Sequence, residues 1–343
     1  MMTHRTTRPL AALLPAALLP AFLLGQLACT AKTPRPQPDE APVIESIDPL
    51  DYAPVDAELI LSASPRAFDG SWLDRWFSQP ELQQLREYTR ECELAPERLE
   101  RFVMFTAGEE RGIIALVGPG VGERKRLRCL ERAYQEHEGA PRVEVHEKHS
   151  GELRIEIPDY GAGYVINESA LLLTTEAWRE TARELARGVG QRAKDGPIAP
   201  LLAELDTTRE LSFVGLVTNG GDSEFPVESF TGVGTISSGL ELDVVTAHKT
   251  AEHAEKAGST LRTIVGALPI FLTQDSDTVD RRRSLSEQLK DAVTVTQKST
   301  KTHISLRVEA APMELIASRL SAVTEELRRP TSAEAIDASN GPM

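Results

Sequence analysis

Seven histidines and three cysteines lie among 343 residues, and their spacing limits the chemistry they could perform. His146 and His149, in VHEKHS, stand three apart with Glu144 and Glu156 nearby, a donor set that resembles some zinc sites. On an extended strand this separation turns the two rings to opposite faces, so both read as solvated histidines. His248 and His253 are five apart in a segment that reads as helix, an offset of about 140° that keeps them from sharing a ligand. Oxygen donors cluster better. Asp275, Asp277 and Asp280 in TQDSDTVD, and Asp222 with Glu224 in NGGDSE, are weak Ca²⁺ candidates, but the first group lacks the central glycine and distal glutamate of a twelve-residue calcium loop. No metal is expected. GPGVGERK, residues 118 to 125, lies between a strand and a helix, where glycines could bring amides to an anion. It has neither the glycine spacing nor the GK[ST] ending of a nucleotide loop and reads as a turn, so no cofactor is expected. GxSxG, HExxH and paired CxxC motifs are absent from the sequence, and no catalytic residue is assigned.

The cysteines carry more. Residues 1 to 28, MMTHRTTRPLAALLPAALLPAFLLGQLA, place Arg5 and Arg8 before an apolar run from Leu10 to Leu24 and small residues before Cys29, the layout of an export signal. Pro15 and Pro20 disfavour one rigid spanning helix. The run LLGQLAC resembles the lipobox of bacterial lipoproteins, with Ala28 as the small residue before the cysteine and Gln26 where that family usually has Leu. The resemblance covers this segment alone. It implies acylation of Cys29 as the mature N-terminus, and Thr30 after it, in place of Asp, implies an outer-membrane destination. Cleavage after Ala31 by an ordinary signal peptidase is the alternative. With Cys29 acylated, Cys92 and Cys129 become an even pair in an oxidising compartment, each on a helical pattern flanking the same two strands, and a disulfide between them is expected.

Charge narrows the partners. There are 38 Lys and Arg against 52 Asp and Glu, a net charge of -14, with no basic cluster of the kind that neutralises nucleic-acid phosphates. Loss of residues 1 to 28 removes two arginines and no acid, so 36 basic and 52 acidic residues leave the mature chain at -16. Such a surface is repelled by anionic lipids, so the expected membrane contact is through the N-terminal lipid. The remaining partner is an unspecified protein or small ligand.

The elements that must position these residues follow an α+β pattern. A proline-rich tether, 29–50, precedes two similar subdomains, 51–190 and 191–329, and a small-residue tail, 330–343. In the first subdomain AELILSAS, RFVMFTAG and GIIALVG read as strands, then a helix runs from Gly122 to about His137. RVEVHEKHSGELRIEIP reads as a hairpin. Val143 and Val145 must share a face with Leu153, Ile155 and Ile157, which pairs 145 with 155 and leaves His149, Ser150 and Gly151 as the loop. GYVIN, ALLLTT and a helix from Glu176 complete this half. FTGVGTIS, GLELDVVTA, a helix from His248, AVTVTQ, THISLRVEA and a helix from Met313 repeat the order strand, strand, helix, strand, strand, helix, offset by 128 at the first two strands. Two mainly antiparallel sheets with helices packed on one face are expected.

Phe68, Trp72 and Trp76 share one helical stripe and hold much of the scarce aromatic surface, a candidate partner-binding face if it is not core. The reading is an exported, lipid-anchored protein of the cell envelope that binds or scaffolds, with an envelope hydrolase whose site is assembled from distant residues as the alternative.

Overall fold

The structure is a computed structural model and describes residues 47–67, 87–138, 143–148, 152–158, 160–218, 227–237, 239–273 and 292–309. Among the described residues twelve strands are β1 (Leu59–Ala63), β2 (Arg101–Ala107), β3 (Arg111–Val117), β4 (Glu144–Glu147), β5 (Leu153–Ile157), β6 (Gly161–Asn167), β7 (Ala170–Thr175), β8 (Leu211–Leu216), β9 (Val227–Thr235), β10 (Gly239–His248), β11 (Val293–Lys298) and β12 (Lys301–Glu309). The helices are α1 (Arg124–Glu138), α2 (Arg179–Ala186), the single turn α3 (Ala199–Leu202) and α4 (Ala251–Thr273). Residues 87–91 are also helical.

The strands form one sheet in the order β11-β12-β10-β9-β8-β1-β2-β3-β7-β6-β5-β4, every pair antiparallel. The α+β, mainly antiparallel expectation is met, but the two segments share this sheet. It passes from one to the other through β1, which pairs with β2 on one side and β8 on the other. In both halves a hairpin leads to a helix and then to an outer strand, β4 or β11. The return differs, since β4 to β7 fold back as four strands and β11 and β12 as two.

Helices on one face only is an expectation the fold overturns. Across eight strands the register aligns Phe213, Leu61, Met104, Ile114, Leu173, Gly163, Ile155 and Val145 on one face. Val214, Ile60, Phe105, Ile113, Thr174, Ala162, Glu156 and Glu144 align on the other. The first face is covered by Leu127, Ala133 and Tyr134 of α1 with Tyr88 and Cys92. The second is covered by Trp178, Ala182 and Leu185 together with Ala193, Ile198 and Leu205. The cause is in the strands themselves: RFVMFTA and GIIALV are apolar without alternation, so both of their faces need cover. Each fully buried side chain of the size of Phe105, Ile60 or Leu172 contributes about 1.5–3 kcal/mol.

Beyond β8 the described residues form two layers. The α4 helix lies on the first face, where Thr302, fully buried, donates to the Ala254 carbonyl at 3.2 Å. On the opposite face Thr231, Val245, His303 and Thr296 align beside Val233, Asp243, Ser305 and Thr294. The outer positions of this set are exposed and polar, the usual alternation of a sheet with one wet face.

The predicted hairpin register is found: Val145 pairs with Ile155, and Lys148 donates its amide to the Glu152 carbonyl at 3.0 Å. One strand escaped the sequence reading. The β8 strand, LSFVGL, fills the position between β1 and β9. His248 is also reassigned: it is the last residue of β10, not the start of a helix, because its amide donates to the Thr300 carbonyl at 2.9 Å and it pairs with Val227 across a bulge.

Candidate functional site

Cys92 and Cys129 form a disulfide, with Cα atoms 5.4 Å apart. The bridge ties the end of the 87–91 helix to α1 above β2 and β3, the arrangement expected of helices flanking one strand pair. An ion-pair node lies beside it. Arg126 reaches Glu93 at 3.3 Å and Glu123 at 2.7 Å and donates to the Pro119 carbonyl at 2.8 Å, while Arg98 also meets Glu93, at 3.1 Å.

The same node settles the glycine-rich turn. Gly118 donates to the Ser169 carbonyl and Gly122 to the Glu168 carbonyl, both at 3.0 Å, while Val121 and Glu123 bond back to Gly118 and Gly120. These amides are spent on the protein. The glycines serve close approach: a Cβ on Gly122 would sit 1.9 Å from the Asn167 carbonyl oxygen, and Gly120 has φ +74° with the Arg126 guanidinium against it.

His146 is exposed, its Nε2 3.4 Å from Glu144. His248 is 3% exposed, with Nε2 2.9 Å from Thr246 Oγ1 and 3.3 Å from Thr302 Oγ1, so it belongs to the contact between β10, β12 and α4. Cys29, Phe68, Trp72, Trp76, His149, Asp222, Glu224, Asp275, Asp277 and Asp280 lie outside the described residues. Among the described residues no three His, Cys, Asp or Glu side chains gather as metal ligands would, and no helix is long and apolar enough to cross a membrane.

An open depression of about 390 Å³ lies where β5 and β6 meet the start of α2, lined by Glu144, Glu156, Pro158, Tyr160, Glu176 and Arg179. Arg179 forks between Glu156 at 3.1 Å and Glu176 at 2.6 Å, and Arg154 also pairs with Glu156, at the Oε1 that Arg179 reaches at 3.3 Å. The partly covered Tyr160 ring has its phenol pKa raised by desolvation. Charge-assisted pairs of this kind fix the Glu156 carboxylate between two arginines. The network therefore acts as a clasp between α2 and β5. None of these residues was singled out for it beforehand except Glu144 and Glu156, because it is assembled from three elements.

Sequence reading also missed a paired aromatic device. Phe213 lies opposite Gly232 and Phe230 opposite Gly215, and each ring covers the glycine across from it, 2.3 Å from where a Cβ would stand. The two rings meet with centroids 6.1 Å apart. The signal is F-x-G at 213–215 and again at 230–232.

No protein-family model matches the chain, and a comparison with curated proteins finds no match. Among solved structures, crystal form III of TP0453 has a TM-score of 0.49 at 8% identity, covering 80% of this chain and 99% of that one. Crystal form IV gives 0.48 at 8% identity over 80% and 97%, and crystal form I gives 0.46 at 9% identity over 80% and 98%.

Proposed function

We propose that the chain is an exported protein of the bacterial cell envelope, held to the membrane by acylation of Cys29, which binds or scaffolds a partner and is not a catalyst. The observation that carries this reading is the bridge between Cys92 and Cys129. Disulfides persist in oxidising compartments, and this one leaves Cys29, which closes the export-signal pattern, as the third cysteine. Acyl chains would supply the attachment that a surface of charge -16 does not, at about 0.8 kcal/mol per buried CH₂. The tether after Cys29 would hold the sheet off the bilayer, and an outer-membrane location follows from Thr30 in the same reading.

The binding part is supported by the wet face of β9 to β12 and by the aromatic stripe of Phe68, Trp72 and Trp76, which we place second as a partner face. The shared order of hairpin, helix and outer strand is consistent with an internal pseudo-repeat, which we propose as the origin of the two halves. The test of anchoring is fractionation. Cys29→Ala should move the protein from the membrane pellet to the soluble fraction, and a variant that stays in the pellet contradicts the lipid anchor.

A further inference from the structure

The sheet ends in two edge strands among those described, and the fold treats them differently. An edge strand turns alternate amides and carbonyls outward, where another strand can pair with them. The β4 edge is blunted. It is four residues long and charged, and Glu131 of α1 accepts the outward amide of Val145 at 2.8 Å. Arg124 of α1 pairs with Glu147 beside it.

The β11 edge is longer and plainer: VTVTQK, six residues with no acid. Its outward groups follow from the register. A two-residue loop, Ser299 and Thr300, joins β11 to β12, so Lys298 and Lys301 form the hydrogen-bonded pair that closes it. Hydrogen-bonded pairs then recur at Thr296 and Thr294, and Val293, Val295 and Gln297 direct their backbone groups away from β12. The Val295 carbonyl confirms the direction, since Arg262 of α4 reaches it, Nε to O 3.4 Å, a single long bond that an added strand must displace and that frees the guanidinium when it does. Gln297 folds its carboxamide back to the Ala251 and Ser299 carbonyls at 3.2 and 3.5 Å. Among the described residues nothing meets the outward amide of Val295.

We infer that β11 is a strand-addition edge that takes an extended, acidic peptide segment of a partner. Charge selects this occupant. Arg262 and Lys298 flank the edge, β11 has no acid, and Arg262 has no ion pair among the described residues, so its remaining guanidinium N–H groups can meet a carboxylate on the added strand. Main-chain pairing would supply affinity and alternate side chains specificity. The inference rests on the binding part of the proposal above and not on the lipid anchor.

The test uses the mature protein in mild detergent and a short fluorescein-labelled peptide of alternating Val and Glu, followed by anisotropy. A peptide of alternating Val and Lys is the control. Saturable binding of the Glu peptide is expected, with the Lys peptide weaker by about tenfold or more. Val295→Pro removes only an outward amide, because the N–H of Val295 does not bond β12, so the ladder and the melting temperature are retained while binding falls by about tenfold. Arg262→Glu, an exposed change, should reverse the preference between the two peptides. Equal binding by wild type, Val295→Pro and Arg262→Glu overturns the inference, as does absence of binding by wild type. A concentration-dependent dimer that Val295→Pro dissolves would overturn it in favour of a second copy of the chain. Failure to find acylated Cys29 leaves these readouts unchanged.

Discussion

Reducing the Cys92–Cys129 bridge should lower stability by an amount the chain itself sets. The bridge closes a loop of sequence separation 37, for which the chain-entropy relation gives about 3.8 kcal/mol at 25 °C. For a mature chain of about 315 residues, at about 2.1 cal/mol/K per residue, that corresponds to a fall of about 6 °C in melting temperature. The native side of the balance should change little, since Cys92 is held in the cluster with Tyr88 and Tyr134, and Arg126 still joins Glu93 to Pro119 and Glu123 when the sulfurs part. The loss therefore belongs mainly to the unfolded chain. Calorimetry with and without dithiothreitol measures it, and a Cys92→Ala, Cys129→Ala double variant should fall further because the buried sulfur of Cys92 is also lost from the core. Two alkylatable thiols in the untreated protein, or a fall below about 1 kcal/mol on reduction, would refute this reasoning.

Other expectations follow from single contacts. Burial of the Glu210 carboxylate opposes its charge, but the Ser237 hydroxyl at 2.6 Å and the Ile236 and Ser237 amides at 2.5 and 3.0 Å outweigh it and hold its pKa below the ordinary 4.5. A depressed folded pKa stabilises above the ordinary value and loses that contribution as pH falls through the folded one, so Glu210→Gln should be less stable than wild type at neutral pH and approach it in acid; a pH-independent difference in denaturant titrations would contradict this. Gly122→Ala should cost about 1–3 kcal/mol or more, since its Cβ meets the Asn167 carbonyl oxygen at 1.9 Å, and an unchanged denaturation midpoint would count against that close approach. A double-mutant cycle of Phe213→Ala and Phe230→Ala should show coupling of about 0.5–1.5 kcal/mol, and strictly additive losses would mean the rings do not interact.

What could be read from the sequence was local. The β4–β5 register was legible because apolar residues at odd positions on both arms leave one pairing that buries them together. The disulfide was legible because parity and compartment constrain cysteines before any fold is known. Neighbours distant in the chain were not legible: β1 pairs with β8 across about 150 residues, and alternation tells which way a side chain points, not which strand lies beside it. The cover on both faces of β2 and β3 is legible in their unbroken apolar runs, which leave neither face polar. His248 was misplaced because a bulge carries β10 one residue past the alternation, and the sequence marks no boundary between Ala247 and the helix beyond. The clasp of Glu156, Glu176 and Arg179 needs three elements in place before its residues meet.

The most direct test of the proposed function is mass spectrometry of the mature N-terminus, from protein recovered in the membrane fraction. Cys29 is expected as the first residue, carrying acyl chains. An unmodified terminus at Lys32, or an intact chain from residue 1, would contradict it.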